Sequence, residues 1–455
     1  MASSKEQGGG GGGDGEAMKI LMVSENVPPQ INGIARRVHH YGESLKKLGH
    51  DVTLVSPHSN DVCWKYTNIF NQGNDFIVLK PSFLWKCLTM ENAYDVVHCV
   101  MPLNVNTFFL MSAFRIRSLL FPSRRRPHLV CSWHCNLIMY SGGFFPGLLK
   151  PCILALTVTP FRILRHLADR MLVPTLSTEP DLLGAFPAHT VDICATGIEV
   201  KQFNPRFRNS KSGLLWQRRK QEDLKRFGNK SKLLLYVGRV SVEKGLNEIV
   251  EAMRTSLKDD CVLWIVGDGP IRQSVEKTCA ENDLPVVFWG FQTGDMLQTV
   301  YTVCDLFVTA STTETFGQTI NEALASGVMV AIPRSPGFKD AYSHVLDPDM
   351  HMWTPNDLKD MVRTIRGVLS EGKIIDRSQL HNWDQAAEHL ADQYSRDYRN
   401  ETVVGLLHAM SWIWVWCMVV IVVTFAAQAL SACIKRIGLH RFYPSPGIAT
   451  KTKRH

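Results

Sequence analysis

The 455-residue sequence lacks the features of a secreted or disulfide-stabilised protein. Its twelve cysteines include no CxxC pair, and such scattered cysteines fit a reducing compartment. The first 17 residues, MASSKEQGGGGGGDGEA, contain neither the apolar segment of a secretory signal nor the arginines of an organelle transit peptide. We therefore interpret residues 1–17 as a disordered polar leader.

Motifs for metals and dinucleotide coenzymes are also missing. The segment CSWHC (131–135) has a spacing that matches no zinc site, and no second ligand pair accompanies it. The run KILMVS is followed by ENVPPQINGIARR, with one glycine where a dinucleotide-binding loop requires GxGxxG. No DxD sequence stands in a context that suggests a bound divalent ion. We therefore expect no cofactor and no metal, and we set aside a coenzyme-dependent oxidoreductase.

Charged residues are absent from one long stretch near the C-terminus. No Asp, Glu, Lys or Arg occurs in the 33 residues between Glu401 and Lys435. About 20 apolar residues span the ~30 Å hydrocarbon layer of a bilayer, so the stretch predicts a transmembrane helix over 406–434. The alternative is a hydrophobic helix buried in the protein or lying on the bilayer. The tail 435–455 is basic and carries no acid, which suits anionic lipid headgroups and gives no reason to expect a nucleic-acid partner.

The orientation of this predicted span rests on two opposing arguments. The basic tail favours a cytosolic C-terminus, whereas the missing signal peptide keeps the large N-terminal part cytosolic or stromal. We favour the second argument, because a domain of about 400 residues needs a route across the membrane. The sequons at Asn229 and Asn400 should then remain unglycosylated.

Short apolar runs alternate with helical patterns on both sides of a polar, basic segment. Near the N-terminus, one set of apolar residues recurs at helical spacing before Gly49: Ile34, Val38, Tyr41, Leu45 and Leu48. Such alternation predicts parallel α/β sheets. We predict two Rossmann-like domains, 18–205 and 231–400, joined by a linker at 206–230. Ligands of such sheets bind beyond the strands' C-terminal ends, here in a cleft between the domains.

Two cations leave one predicted strand in the second domain. After KLLLYV comes GRVSVEKG (238–245), with Arg239 and Lys244 between two glycines, Gly238 and Gly245. Two fixed cations can neutralise the charge that builds on a departing diphosphate without a metal. A surface turn would explain the same residues. The next strand ends in GDGP, whose turn of Gly267, Asp268 and Gly269 is suited to a nucleobase.

The segment TASTTETFGQTINEALASG (309–327) places two acids eight residues apart, Glu314 and Glu322. A helix starting near Thr315 or Phe316 would leave Glu314 in the preceding loop and turn Glu322 toward the cleft. Carboxylates accept hydrogen bonds from vicinal diols, which sugars and riboses both have. Amides around Phe316 and Gly317 would face a diphosphate at the helix N-terminus. A capped amphipathic helix with solvated acids is the alternative.

The first domain offers two weaker candidates. Gly33 precedes a helix and would let the backbone approach a phosphate or sugar, although a plain turn explains it as well. His134 follows the strand HLVCSW, where its side chain can face the cleft and donate to a sugar hydroxyl or to developing charge. A lone histidine at a strand end is otherwise a structural residue.

Together these motifs resemble the retaining glycosyltransferases of family 4, which have the GT-B fold, over roughly residues 18–400. The resemblance implies that Arg239 and Lys244 bind the diphosphate of a nucleotide-sugar donor. It also implies that Glu314 holds the donor sugar, that Glu322 holds the ribose, and that no metal is needed. The family's GGxPE-type loop after the second acid reads RSPGFKDA here (334–341).

Within the family, KQFNPRFR (201–208) and HLADRMLVPT (166–175) are similar to segments of sulfolipid synthases. That subgroup implies transfer of sulfoquinovose from UDP to diacylglycerol. PPQINGIARR also resembles GDP-mannose-dependent mannosyltransferases, and the hydrophobic tail resembles a UDP-GlcNAc-dependent lipid transferase. A catalytically inactive nucleotide-sugar-binding membrane protein is the remaining alternative, and a soluble starch- or sucrose-type transferase is disfavoured by the tail.

Overall fold

The fold is taken from a computed structural model. It describes residues 16–30, 32–67, 75–89, 94–101, 105–134, 161–176, 186, 190–314, 316–372, 376–396, 407 and 409–413. Two six-stranded parallel sheets dominate these residues. Each forms the centre of one lobe, and both are covered on their two faces by apolar clusters.

The first lobe is built on a sheet of order β2-β1-β5-β6-β7-β8. Its strands are β1 (Lys19–Val23), β2 (Asp51–Val55), β5 (Val96–Met101), β6 (His128–Trp133), β7 (Arg170–Val173) and β8 (Val191–Ile193). The central strands β1, β5, β6 and β7 are apolar runs because a parallel sheet buried on both faces requires continuous apolar residues, whereas the edge strand β2 is mostly exposed. An antiparallel hairpin of β3 (Cys63–Thr67) and β4 (Asp75–Leu79) was not predicted.

Helices α1 (Gly33–Lys47), α2 (Pro81–Thr89) and α3 (Val105–Leu120) belong to this lobe. The predicted helix before Gly49 is confirmed, since Val38, Tyr41 and Leu45 of α1 are buried. Asn32 caps α1 by accepting a hydrogen bond from the Ala35 amide at 2.8 Å, which satisfies one of the free amides of the first turn. The cap fixes the first turn of α1 at the edge of the cleft.

The second lobe is built on a sheet of order β11-β10-β9-β12-β13-β14. Its strands are β9 (Lys232–Val237), β10 (Cys261–Val266), β11 (Val286–Gly290), β12 (Leu306–Val308), β13 (Val330–Pro333) and β14 (Met352–Trp353). Its helices are α4 (Lys211–Arg226), α5 (Leu246–Ala252), α6 (Arg272–Glu281), α7 (Gly294–Val300), α8 (Gln318–Ala325), α9 (Pro336–Tyr342), α10 (Pro348–His351) and α11 (Leu358–Glu371).

The interpretation of residues 206–230 as a linker is wrong. These residues form a 3-10 turn, Pro205–Asn209, and then α4. Trp216 of α4 is fully buried and its ring lies 5.3 Å from that of Trp264 and 4.9 Å from that of Trp289. Most charged residues of α4 lie on its outer surface, and their number masked in the sequence an inner face that packs in the second core.

The C-terminal end of the predicted second domain packs in the first lobe instead. Helix α12 (Trp383–Ser395) returns to the first lobe, where Trp383, Leu390 and Tyr394 join the buried cluster that contains Ile20 and Val38 of β1 and α1. A capping box of Asn382 and Gln385 starts this helix. Residues 383–395 therefore complete the first lobe, and a boundary at 400 does not describe the packing.

The predicted transmembrane helix at 406–434 falls mostly outside the described residues. Residues 409–413 are helical, and Ala409 and Ile413 are buried against the core of the first lobe. Within the described part of the chain, no helix has the length and apolar content needed to cross a membrane.

Candidate active site

A cleft of about 680 Å³ separates the two lobes. Its walls come from the first turn of α1 and from the loops and helix ends that follow β9, β10 and β12. Most of the predicted site residues line it: Gly33, Gly238, Arg239, Lys244, Gly267, Asp268, Glu314 and Glu322. The parallel topology explains this convergence, because the C-terminal ends of parallel strands meet at one edge of a sheet.

Arg239 and Lys244 both reach the cleft from the loop after β9. Val242–Lys244 forms one 3-10 turn, and Gly245 follows in a left-handed conformation with φ of 66°. A Cβ on Gly245 would come within 2.4 Å of the Ala310 carbonyl oxygen, so only glycine permits this tight turn. The turn presents both cations to one space.

The two cations differ in their partners. Lys244 is partly buried and forms an ion pair with Glu314. Arg239 is exposed, and the described residues provide it with no ion pair. The Tyr236 hydroxyl donates to the Arg239 carbonyl oxygen at 2.7 Å, and burial, followed by the charges of Glu314 and Glu243, raises the pKa of Tyr236. Arg239 is therefore held through its backbone, with its guanidinium available.

The glycines of the GDGP turn allow two loops to touch. A Cβ on Gly267, whose φ is 140°, would lie 1.9 Å from the Gly238 carbonyl oxygen. A Cβ on Gly269 would lie 2.3 Å from the Val240 carbonyl oxygen. Gly269 itself does not line the cleft, while Asp268 does and accepts a hydrogen bond from the Gly269 amide at 2.8 Å. The glycines shape this wall through backbone packing.

The two acids of the E-x7-E segment have different environments. Glu314 precedes α8 and pairs with Lys244 of the same lobe. Glu322 lies in α8 and is 4% exposed, yet it reaches the cleft as the spacing predicted. Its carboxylate accepts from Arg36 at 2.5 Å and from the Tyr301 hydroxyl at 2.7 Å. Burial and the Glu322 carboxylate raise the pKa of Tyr301, so its hydroxyl remains a donor.

The helix of this segment starts later than predicted. Its N-cap is Gly317, with φ of 80°, and α8 begins at Gln318. A Cβ on Gly317 would come within 2.7 Å of the Phe338 ring, and the Phe316 ring lies 5.6 Å from that of Tyr342. Neither Phe316 nor Gly317 lines the cleft in this structure, and Thr315 lies outside the described residues.

Arg36 was not singled out from the sequence, although it joins the two lobes. It lies one turn into α1, lines the cleft beside Gly33, and forms the ion pair with Glu322 across the lobes. Its guanidinium also lies 5.5 Å from the centre of the Phe203 ring. The sequence signal that could have identified Arg36 is its position three residues after Gly33, on the same turn of the predicted helix. A Cβ on Gly33 would meet open space.

His134 does not line the cleft. Its Nδ1 accepts from Arg37 at 2.5 Å, and its Nε2 lies 2.9 Å from Ser132 Oγ. Burial, then the positive charge of Arg37, lowers the pKa of His134 far below its usual value. The ring is therefore neutral and both its nitrogens are engaged by protein groups. The donation to a sugar hydroxyl that the sequence suggested has no free N–H in this arrangement.

The side chains of the cleft are balanced in charge. Arg36, Arg239 and Lys244 face Asp268, Glu314 and Glu322. No cluster of three His, Cys, Asp or Glu side chains that could hold a metal occurs among the described residues, and the expectation of a metal-free site stays a prediction. The arrangement offers cations for an anionic group and carboxylates for hydroxyl groups.

Two families of known sequences match the chain. The model described as Glycosyltransferase Family 4 matches residues 31–202, and the model described as Glycosyl transferases group 1 matches residues 217–389. Together the two matches follow the two lobes, except that α12 returns to the first.

Individual relatives and structures are similar at lower identity. A sulfoquinovosyl transferase of Arabidopsis thaliana is 28% identical over 413 residues, which cover 84% of this chain and 75% of that protein. An alpha-monoglucosyldiacylglycerol synthase of Streptococcus pneumoniae is 25% identical over 349 residues, 70% and 72% of the two chains. The structure of Anabaena HepE in complex with UDP has a TM-score of 0.51 at 16% identity, covering 87% of this chain and 99% of that one. The predicted fold of two facing parallel-sheet domains is confirmed.

Proposed function

We propose that this chain, which belongs to family 4 of the glycosyltransferases and has their GT-B fold, transfers sulfoquinovose from UDP-sulfoquinovose to diacylglycerol. The chain is a glycosyltransferase that uses a nucleotide sugar. The sugar, the nucleotide and the lipid are our proposal. The observation that carries it is the pair of cations, Arg239 and Lys244, facing Glu314 in the interlobe cleft.

In the proposed reaction the cations act on the leaving group. As the bond between the sugar C1 and the diphosphate oxygen breaks, negative charge builds on UDP. Arg239 and Lys244 neutralise that charge in a cleft where water is partly excluded, so their effect exceeds that of ions in bulk water. The diacylglycerol hydroxyl attacks C1 from the same face, and its proton passes to the departing diphosphate. Configuration at C1 is thereby retained.

The proposed roles of the acids require an exchange of partners. Lys244 would turn from Glu314 to a phosphate oxygen, which frees Glu314 to accept from the hydroxyl groups of the sugar. Glu322 would accept from the ribose diol on the oxygen that Arg36 now occupies. Gly238, Gly267 and Asp268 would border the nucleobase. Lys244 and the two carboxylates then each keep a charge-assisted contact, and the displaced Arg36, whose side chain is 28% exposed, is solvated.

The proposed acceptor is a lipid at a membrane surface. The name of the Streptococcus pneumoniae relative includes diacylglycerol, and the charge-free segment 402–434 supports a single membrane pass near the C-terminus. We place both lobes on the cytosolic or stromal side. Asn229 and Asn400 should then carry no glycan, and protease added to intact membrane vesicles of that orientation should digest both lobes.

The proposed function is tested by transfer in vesicles. Purified full-length protein is mixed with vesicles containing diacylglycerol and, in separate reactions, with UDP-sulfoquinovose, GDP-mannose or UDP-GlcNAc. We expect a sulfoquinovosyl lipid from the first donor. A mannosyl or glucosaminyl lipid from another donor would replace the sulfoquinovose assignment with that of the corresponding alternative.

An inactive nucleotide-sugar-binding protein is the second candidate. The observation that favours it is the altered segment 334–341, where Phe338 fills the space beside Gly317. That candidate predicts donor binding without sugar transfer or donor hydrolysis. Measuring released UDP with and without lipid separates the two, since a transferase releases UDP faster when acceptor is present.

A further inference from the structure

A line of polar side chains crosses the buried face of the first sheet. His98 of β5 and Ser132 of β6 lie on the face that α1 and α12 cover, among the apolar side chains of Val96, Val100 and Val130. Tyr394 of α12 reaches the same line. Buried polar groups in an apolar layer persist where they bond one another.

The contacts are continuous from α1 to α12. Arg37 lies 2.5 Å from His134 Nδ1, and His134 Nε2 lies 2.9 Å from Ser132 Oγ. Ser132 Oγ lies 2.7 Å from His98 Nε2, and His98 Nδ1 lies 2.7 Å from the Tyr394 hydroxyl. The other three separations have ordinary hydrogen-bond lengths, and the Arg37–His134 contact is shorter than ordinary.

Arg37 fixes the proton on His134, and the proposed order of donors and acceptors continues from there. A guanidinium only donates, so His134 Nδ1 must accept, and the His134 proton is on Nε2, where it is donated to Ser132. The Ser132 hydroxyl then donates to His98 Nε2, which leaves the His98 proton on Nδ1 for the Tyr394 oxygen. A second Arg37 nitrogen donates to Thr196 Oγ1 and anchors the guanidinium.

Burial supports this assignment of protons. His98, Ser132 and Tyr394 are 1%, 0% and 3% exposed, and Arg37 is 7% exposed. Burial lowers the pKa of His98 to about 3, so near neutral pH both histidines hold one proton. Each histidine then has one donor and one acceptor nitrogen, as the line requires.

We propose that Arg37 is a positioning residue: through the hydrogen-bond line Arg37–His134–Ser132–His98–Tyr394 it fixes His134 as the Nε2–H tautomer and couples the end of β6 to α12. His128 of β6 adds a second tie, because its Nδ1 lies 2.8 Å from the Tyr394 carbonyl oxygen. Two strands, β5 and β6, therefore hold α12 at Tyr394, near the end of the helix that precedes the hydrophobic segment.

The effect on turnover rests on the proposed function. The line holds the His134 side chain against Arg37 of α1, the helix whose Gly33 and Arg36 form part of the cleft wall. Loss of Arg37 would release the His134 ring and remove a buried contact of α1 beside this wall. A shift of about 1 Å in a group that positions substrate can lower turnover by about 100-fold, so we expect kcat to fall while KM for the donor changes little.

The direct test is nitrogen NMR of the full-length protein with ¹⁵N-labelled histidine, needing no donor or lipid. The variants His98→Gln and His134→Gln identify the signals of these two histidines in the spectrum. We expect His134 protonated on Nε2 and His98 on Nδ1. The wild-type spectrum is sufficient to overturn the proposal: it would do so if His134 is protonated on Nδ1, or on both nitrogens, at neutral pH.

Variants test whether the line transmits the effect. In Arg37→Met, a buried apolar replacement, we expect both tautomers of His134 and a shift of the His98 signals, although Arg37 does not touch His98. Tyr394→Phe should shift His98. The matched control is Tyr41→Phe, which removes a buried hydroxyl that donates to the Ala195 carbonyl oxygen in the same layer; it should change neither histidine. Unchanged histidine spectra in Arg37→Met overturn the proposal.

Kinetics complete the test. We expect Arg37→Met to lower kcat roughly tenfold or more with KM within about twofold, and Arg37→Lys to recover part of the loss. An unchanged kcat in Arg37→Met overturns the positioning role. If the wild type transfers no sugar from any donor, the proposed function fails, and the NMR result still decides whether the line exists.

Discussion

The two lobes contribute to the cleft in different ways. The second lobe supplies cations and acids from loops that directly follow its strands, as with Arg239, Lys244 and Glu314. The first lobe supplies Arg36 from within a helix, and this residue pairs with Glu322 of the other lobe. The second lobe's part of the cleft is thus encoded in short local motifs, whereas the interlobe contact exists only once both lobes are folded.

The same difference separates the two acids. Glu314 and its partner Lys244 lie in one lobe and move together. Glu322 and Arg36 lie in different lobes, so their ion pair depends on the distance between the lobes. We therefore expect substitutions at Lys244 and Arg239 to act on the reaction, and substitutions at Arg36 to act mainly on interlobe contact.

The largest effect should come from the cations of the second lobe. Arg239→Ala and Lys244→Ala should each lower turnover by well over tenfold with the fold intact, because each removes charge from the site of the leaving group. The readout is steady-state sugar transfer, with circular dichroism to check folding. The control is Arg254→Ala, an exposed arginine of the same lobe paired with Glu251. Near-normal turnover in both cleft variants would refute the assignment.

The next effect distinguishes the two acids. Glu322→Gln keeps the size of the side chain but removes the charge that Arg36 and Tyr301 bind, and it weakens acceptance from a ribose diol. We expect donor affinity to fall about tenfold, since a hydrogen bond to a charged group contributes about 1.5–3 kcal/mol. Glu314→Gln should spare the affinity for UDP, which lacks the sugar. Calorimetry with UDP checks both, and equal losses would contradict the separate roles.

A smaller effect is expected for the coupling free energy of the interlobe ion pair between Arg36 and Glu322. Glu322 is buried but the Arg36 side chain is 28% exposed, so solvent screens the pair and we expect a coupling of about 1 kcal/mol. Arg36→Met, Glu322→Gln and the double variant form the cycle, with urea unfolding as the readout. A matched cycle on the exposed pair of Lys46 and Glu43 should give less. Coupling no larger than in that control would mean that the lobes are not joined here.

The smallest effect should come from the second donor to Glu322. Tyr301→Phe removes one neutral hydroxyl at 2.7 Å from the carboxylate and leaves Arg36 in place. We expect donor affinity to change by less than about tenfold, because Tyr301 is not among the residues that line the cleft and Arg36 still holds the carboxylate. A loss as large as that of Glu322→Gln would show that Tyr301, rather than Arg36, governs the acid.

Much of the fold could be predicted because its signals are local. Continuous apolar runs identify parallel strands, and the runs KILMVS, HLVCSW and KLLLYV correspond to β1, β6 and β9 in the structure. The errors arose where polar residues covered an apolar face, as in α4 around Trp216, or where packing is distant in sequence, as for α12. The short strands β8 and β14 carry too few residues to stand out.

For the site, too, local positions could be predicted and contacts between residues distant in sequence could not. The cleft positions of Arg239, Lys244, Glu314 and Glu322 follow from loops and helix spacing. Arg36, Arg37 and the line from His134 to Tyr394 join residues up to 296 positions apart, and no sequence spacing encodes such contacts. His134 was noticed because it ends a strand, but its partners, which determine its protonation, come from α1 and the same sheet.

The claim that Arg239 and Lys244 form the diphosphate site of an interlobe cleft is tested most directly by calorimetric titration of UDP into the wild type and into the Arg239→Met/Lys244→Met double variant. We predict saturable binding of one UDP per chain by the wild type and at least tenfold weaker binding by the double variant. Equal affinity in the two proteins would contradict the claim, as would the absence of binding to the folded wild type.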